Sequence, residues 1–272
     1  MPFVPQVKIF NPMSNTLTSL EIKDFVKYLG IMIDSDLSWK NHIDFICHKI
    51  SKSIGIIAKL RHYIPRQLLL SIYHTLITPY LTYGISAWGY CAKTYLNRLL
   101  ILQKRALRLI FFCWSREHAI PLFIKSNCLP ISFLFFQQLC YLMYDIHTQV
   151  APINLINQFT KIRTMHNYNT RASSNECFTV KTSRTEKMKK SFTRIGVSIW
   201  NLIPLSLKSL NQSAYQNKIK KLLLDVLNFE DDYIDYFPIV HNALCLPAKF
   251  CINYCCEMLL GICRPPKRIS QQ

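Results

Sequence analysis

Four residues toward the C-terminal end have the composition of a metal-binding turn. The run from Phe229 to Asp232 places an aromatic side chain two residues before the adjacent carboxylates Asp231 and Asp232. Such a pair can hold divalent metal ions when a further carboxylate completes the ligand set. No partner motif with that further aspartate stands beside it, so a solvated acidic turn after a helix is the alternative that the sequence favours.

The C-terminal tail also contains thiols and an imidazole that could bind zinc. Their spacing does not reproduce the paired Cys-x-x-Cys pattern of persuasive zinc sites, so buried free thiols are the favoured alternative. We assign no catalytic residue and no metal-binding residue in this chain. The side chains considered are His241, Cys245, Cys251, Cys255, Cys256 and Cys263.

The overall charge indicates a polyanionic partner. Lysine and arginine number 33 against 15 acidic residues, which gives a formal net charge of +18 and an isoelectric point of about 9.5. Neutralising phosphates releases counterions, so nucleic acid is favoured, with an anionic membrane surface or a merely solvated basic surface as alternatives.

Two stretches concentrate this charge. One is a predicted helix from Thr94 to Phe112, with Lys104, Arg105 and Arg108 as candidate phosphate contacts. The other is a polar segment, residues 161–194, which we call the basic arm and expect to be extended. Its candidate contacts are Arg171, Lys187, Lys189 and Lys190. A solvated helix face remains the alternative for these side chains.

The cysteines and the N-terminus bear on the compartment. The eleven cysteines have no disulfide-framework spacing, and no signal-peptide pattern opens the chain. No apolar run is long enough to span a bilayer. We expect an intracellular protein of the nucleus or the cytoplasm, not secreted and without membrane partners.

A strand followed by a helix organises the first part of the chain. Val26 to Asp34 is predicted to be one strand, with Ser35, Asp36 and Ser38 as helix-capping residues. From Trp39 to Tyr63, isoleucines recur every three or four residues, while lysines gather on the opposite face. Tyr28 and Leu29 are expected to pack on the apolar face of this helix. The three lysines are Lys49, Lys52 and Lys59.

Helical spacing continues along most of the remaining chain. The segment from Leu68 to about Thr78 is apolar nearly all round, which predicts a buried helix, and Pro130 to Gln149 is almost free of charge. Thr193 to Asn201 and Ala214 to Leu227 are also predicted helices. The fold class is therefore mainly α: a helical bundle with a short N-terminal antiparallel β-sheet and a basic irregular arm.

Several short motifs, in this order, resemble the segment that follows the catalytic palm in reverse transcriptases of non-LTR, jockey-like retrotransposons. The resemblance covers roughly residues 19–227. The motifs are residues 27–30 (Lys-Tyr-Leu-Gly), 34–39 (Asp-Ser-Asp-Leu-Ser-Trp), 59–65, 79–84, 87–89, 102–108, 166–171 and 200–204.

This resemblance implies a function and a division of the chain. The Lys27, Tyr28, Leu29, Gly30 strand would lie beside the primer at the palm edge, within residues 1–38. Residues 39–160 would form a thumb-like region, 161–227 the basic arm with further helices, and 228–272 an unassigned tail.

The partners implied are RNA and DNA as primer–template, with no small-molecule substrate. The intact family enzyme uses Mg²⁺, but no cofactor is expected for this chain, which we expect not to polymerise alone because the catalytic carboxylates of the family lie upstream of this region. A decayed mobile-element remnant without a selected role, or a stand-alone nucleic-acid-binding module, are the alternatives.

Overall fold

The fold is mainly helical, with two short β-hairpins at its N-terminal end, as the sequence predicts. The computed structural model describes residues 8–11, 13, 16–19, 23–165, 168 and 170–229. The strands are β1 (Lys8–Asn11), β2 (Thr16–Ser19), β3 (Phe25–Tyr28) and β4 (Ile31–Asp34). The metal-site and zinc-site candidates from residue 230 onward lie outside the described residues.

The helices begin and end as follows. The N-terminal half contains α1 (Lys40–Leu60), α2 (Arg66–Leu76), α3 (Thr78–Thr82), α4 (Ile85–Trp88), α5 (Lys93–Phe111), α6 (Ile120–Lys125) and α7 (Ile131–His147). The C-terminal half contains α8 (Ile153–Ile156), α9 (Arg171–Ser174), α10 (Glu186–Lys189), α11 (Phe192–Leu202), α12 (Leu205–Lys208) and α13 (Gln212–Phe229).

The predicted single strand from Val26 to Asp34 is in fact a hairpin. β3 and β4 pair antiparallel, with Tyr28 opposite Ile31. The two residues between them have positive φ, 46° at Leu29 and 85° at Gly30, which is the conformation of the two-residue turns that match strand twist. The turn was missed because leucine is rarely found at a positive φ. Among the described strands, β1 pairs with β2 and not with this hairpin.

Asp34 and Ser38 together hold the turn that leads into α1. The hydroxyl of Ser38, one of the predicted capping residues, accepts the backbone N–H of Lys40 at 3.4 Å. The carboxylate of Asp34 accepts hydrogen bonds from the backbone N–H of Ser38 at 2.9 Å and of Trp39 at 3.0 Å. Burial raises the pKa of Asp34, but these hydrogen bonds outweigh it and leave the pKa below its ordinary value. The hairpin and the first long helix are therefore joined by one carboxylate.

The first three long helices pack into a bundle with a defined direction. α1 and α5 run parallel, since Arg98 meets Asp44 near their first turns and Arg61 meets Phe112 at their ends. α2 returns between them, and the prediction that it is buried is wrong: Leu69 and Tyr73 point into the core, whereas Leu68 is 52% exposed. A helix that packs on two neighbours only on one side keeps its other face in water.

α7 connects the two halves of the molecule. Its nearly uncharged sequence is buried along most of its length, as predicted, between α5 on one side and α11 and α13 on the other. Gln103, fully buried in α5, bonds the Tyr73 hydroxyl at 3.1 Å and accepts the backbone N–H of Ile131 at 2.8 Å. One satisfied amide thus joins α2, α5 and the beginning of α7.

The basic arm is not extended over its first half, contrary to the sequence-based expectation. Lys161 pairs with Phe178 in an isolated bridge, and Phe178 is almost fully buried. The side chain of Asn201 bonds both backbone groups of Phe178, at 2.9 and 2.8 Å. These contacts dock the arm against α11 at Phe178, because the polar arm carries two apolar side chains, Cys177 and Phe178, that can be buried.

Candidate nucleic-acid interface

The hairpin residues singled out from the sequence lie on an exposed turn. Tyr28 is 64% and Leu29 72% exposed, so the prediction that they pack on α1 is wrong. Ile31 and Ile33 make that contact instead, because a hairpin turns only one of its strands toward the helix. The Tyr83 hydroxyl donates to the Leu29 carbonyl at 2.6 Å and holds the turn against the bundle.

The three candidates on α5 differ in their surroundings. Arg105 is exposed and Lys104 is half-buried. The guanidinium of Arg108 donates two hydrogen bonds to the Glu117 carbonyl, at 2.8 and 2.6 Å. Arg108 therefore closes the turn after α5, a structural role that the sequence did not indicate.

Of the candidates on the arm, Lys187, Lys189 and Lys190 lie in or next to α10, Arg171 begins α9, and Lys189 is neutralised. The Lys189 ammonium lies 2.5 Å from the Glu186 carboxylate, one turn apart on α10. The hydrogen bond with Lys189 lowers the pKa of Glu186. Lys190 is half-buried, and the side chains of Arg171 and Lys187 lie outside the described part of the chain.

The structure does not bring these candidates into one cluster. The Lys27 ammonium lies 6.0 Å from the ring centroid of Phe45, near the start of α1. Arg105 and Arg108 lie toward the other end of the bundle, because α1 and α5 are parallel. The sixteen residues from Phe45 to Arg61 correspond to about 24 Å of helix.

A basic surface that the candidate set omitted connects these two ends. We call it the α1 ridge: Phe45, Lys49, Lys52, Ile56 and Lys59, which follow one another at intervals of three or four residues. It faces away from the buried isoleucines of α1. The spacing of the three lysines in the sequence was the signal that could have identified it.

Both ends of the ridge carry further positive charge. At its start, Lys27 and Lys49 flank the Phe45 ring, with the Lys49 ammonium 5.4 Å from the centroid. The carboxylate of Asp44, the acidic residue of α1, is neutralised by the Arg98 guanidinium, with 2.5 Å between the Asp44 oxygen and the Arg98 nitrogen. The three lysines of the ridge thus span about 15 Å of helix, and the one carboxylate of that helix is already paired, which suits a row of phosphates.

Other chemistry finds less support in the described residues. Within that part of the chain, no three His, Cys, Asp or Glu side chains are grouped so that they could hold a metal ion. Over the same residues, no helix has the length and apolar character needed to cross a bilayer.

Comparison with known proteins identifies related sequences. Over 88 residues the chain is 33% identical to the RNA-directed DNA polymerase from mobile element jockey of Drosophila funebris, and 35% identical to that of Drosophila melanogaster. It is 30% identical over 90 residues to a probable RNA-directed DNA polymerase from transposon BS of Drosophila melanogaster. These alignments cover 31 to 32% of this chain and 10% of each relative.

The match therefore concerns a region and not a whole protein. The chain spans about a tenth of the length of the curated relatives it matches. No protein-family model matches the chain, and no solved structure matches it significantly. The chain contains a region related to the RNA-directed DNA polymerases of jockey-type non-LTR retrotransposons, which confirms that part of the resemblance.

Proposed function

We propose that this chain is the thumb and following region of a retrotransposon RNA-directed DNA polymerase, and that it binds primer–template without polymerising alone. The α1 ridge is the observation that carries this proposal. Three lysines on one helix face, with Lys27 beside its first turns, match the regular negative charge of a nucleic-acid backbone. Related sequences are named as RNA-directed DNA polymerases, which supports RNA and DNA as partners.

The ridge makes contacts that carry no sequence information. Lysine ammonium groups on flexible stems bind phosphates as point charges, so affinity should depend on salt and not on base sequence. The hairpin turn with Tyr28, Leu29 and Gly30 lies at the Lys27 end of the ridge, where it would border the bound duplex. The arm with Arg171, Lys187, Lys189 and Lys190 supplies a second, weaker contact in this proposal, because Glu186 already neutralises Lys189.

The test compares two triple variants with equal charge loss. In one, Lys49, Lys52 and Lys59 are changed to Gln; in the matched control, the exposed Lys125, Lys218 and Lys221 are changed to Gln. Binding of an RNA–DNA primer–template is measured by fluorescence anisotropy over a series of salt concentrations. The ridge variant should lower the log–log salt slope by roughly two to three units, since each lost phosphate contact removes about 0.9.

The control variant should bind nearly as the wild type does. Equal losses in both variants would mean that net charge alone drives binding, and the ridge would then not be an interface. Lys187, Lys189 and Lys190 changed together to Gln should give a smaller decrease in slope than the ridge variant. Absence of wild-type binding at physiological salt would instead favour a remnant without a selected role.

A further inference from the structure

The end of the bundle opposite the hairpin combines positive charge with aromatic rings. We call it the bundle tip: residues 59–66, where α1 gives way to α2, and residues 105–117, where α5 ends. These two stretches contain six lysines and arginines and one acidic residue, Glu117. The Glu117 carboxylate accepts the backbone N–H of Trp114 at 3.3 Å, so it is engaged within its own turn.

Two arginines of the tip lie over aromatic faces. The guanidinium carbon of Arg61 is 4.7 Å from the ring centroid of Phe112, and that of Arg66 is 5.0 Å from the centroid of Phe111. His62 meets the edge of the Phe112 ring at 5.7 Å. Guanidinium planes held by rings are flat, cationic surfaces on which nucleobases stack.

The backbone at the end of α5 is held in a costly conformation. Phe112 has a φ of 58°, a left-handed geometry in which helices usually place glycine. The Cys113 N–H bonds the Arg108 carbonyl at 2.9 Å, and the Arg108 side chain fixes the following turn. This geometry places the Phe112 ring beneath Arg61 and leads the chain outward into Trp114.

Two further aromatic side chains at the tip face solvent almost completely. Trp114 is 86% and Tyr63 84% exposed, whereas the three other tryptophans of the chain are at most 5% exposed. Tyr63 lies in the turn between Arg61 and Arg66. A tryptophan left in water beside fixed cations loses the burial that normally stabilises it, which points to a partner that covers it.

We propose that the bundle tip binds unpaired nucleobases of a single-stranded nucleic-acid end, with Trp114 and Tyr63 as stacking surfaces and the arginines as phosphate contacts. Stacking on aromatic rings next to basic groups is how single strands are bound without sequence preference. The inference rests on the proposed function, because the duplex on the α1 ridge would present its single-stranded extension to the tip.

The charge of the tip selects this occupant over an apolar protein surface. A partner that covered the whole tip with apolar side chains would desolvate Arg61 and Arg66 together with Trp114. The single carboxylate of the tip, Glu117, accepts the Trp114 backbone N–H. Within the described part of the chain it makes no ion pair with Arg61 or Arg66, so those guanidinium groups would be buried without a counter-ion. A nucleic-acid strand supplies both the rings and the anions.

The test uses the full chain and two probes. One is a blunt RNA–DNA duplex; the other is the same duplex with a single-stranded oligo(dT) extension. The wild type should bind the extended probe about tenfold more tightly, because one stacked base is worth about that factor. Trp114 fluorescence should be quenched only by the extended probe, since the other tryptophans are buried.

Trp114→Ala should abolish both the tenfold difference and the quenching, and leave blunt-duplex affinity unchanged. Trp114→Phe should restore much of the difference, since a ring is retained. Phe10→Ala removes an exposed ring of β1, outside the tip, and should have no effect. Circular dichroism of each variant checks that it is folded.

Two results would overturn the proposal while leaving the α1 ridge intact. One is blunt-duplex binding with no preference for the extended probe in the wild type. The other is Trp114 fluorescence that shifts to shorter wavelength with anionic lipid vesicles but is not quenched by the extended probe, which would assign the tip to a membrane surface. Loss of blunt-duplex binding itself would contradict the proposed function instead.

Discussion

His42 shows how much of this fold depends on the state of a single side chain. It is buried in α1, and its Nδ1 atom accepts the backbone N–H of Met32 in β4 at 3.3 Å. No partner is present for its Nε2 atom among the described residues. Burial lowers the pKa of His42 to about 4, so the ring is neutral at pH 7 and can act as the acceptor.

We expect the free energy of unfolding to fall as the pH is lowered from about 6.5 toward 4. The unfolded chain binds the proton more readily than the folded chain does, so the stabilisation is complete above the unfolded pKa and is lost progressively below it. A shift of this size corresponds to roughly 3 kcal/mol at most. The measurement is urea unfolding of the wild type and of His42→Gln at pH 7 and pH 4.5.

The variant keeps a hydrogen-bond acceptor but cannot titrate. Its loss of stability between pH 7 and pH 4.5 should therefore be smaller than that of the wild type by the contribution of His42. Asp34, whose pKa is also lowered, takes up its proton equally in both proteins, so its effect on stability cancels in the comparison. The same pH dependence in both proteins would show that His42 does not join the hairpin to α1 in the way the structure indicates.

Among the elements, the docked half of the arm is held by a buried cation. Lys208 of α12 is 3% exposed, and its ammonium donates to the Asn175 carbonyl at 2.7 Å. The same ammonium lies 5.0 Å from the ring centroid of Trp200. Burial lowers the pKa of Lys208, although Cys177 and Glu176 act in the opposite direction. The Glu176 carboxylate also meets His147 of α7 at 3.3 Å.

Lys208→Met should loosen this half of the arm without unfolding the bundle. The variant retains an apolar side chain of similar length over Trp200 but leaves the Asn175 carbonyl without its donor, a loss of roughly 1–3 kcal/mol. Ile162 and Thr179 each donate their backbone N–H to a backbone carbonyl, both at 2.9 Å. Hydrogen exchange at these two amides should accelerate by about five- to a hundredfold.

Lys181→Met is the matched control, because Lys181 is exposed on the same arm. It should leave the exchange rates at both amides unchanged. If Lys208→Met behaved like this control, the arm would be docked by Phe178 and Asn201 alone, and the buried ammonium would contribute nothing measurable.

For the molecule as a whole, the proposed binding of nucleic acid and polymerisation are separate properties. The purified chain is expected to show no primer extension on any template with magnesium or manganese. Two-metal catalysis needs carboxylates from two strands, and the Asp231–Asp232 pair has no such partner in the sequence. The assay measures nucleotide incorporation against a heat-inactivated sample.

Incorporation above that background would contradict this expectation. If it were then abolished by changing Asp231 and Asp232 together to Ala, the C-terminal acidic run would become a catalytic site. Incorporation that survived this double change would place the metal ligands elsewhere in the chain.

The sequence by itself determined most of the long helices and the buried faces of several of them. The recurrence of isoleucine in α1, the absence of charge in α7 and the spacing of α11 and α13 are local properties, and local periodicity is sufficient to predict which side of a helix is buried. The net charge likewise predicted a polyanionic partner. The order of the short motifs indicated the reverse-transcriptase relationship before any geometry was known.

Only the tertiary structure decided which distant residues meet. Arg61 and Phe112 are far apart in sequence and form the bundle tip because α1 and α5 are parallel and end together. Lys208 reaches Asn175 only after the arm folds back. The reversal at Leu29 and Gly30 depends on a positive φ that leucine rarely adopts. Such contacts depend on the packing of whole helices, and hydrophobic periodicity within one helix carries no information about its partner.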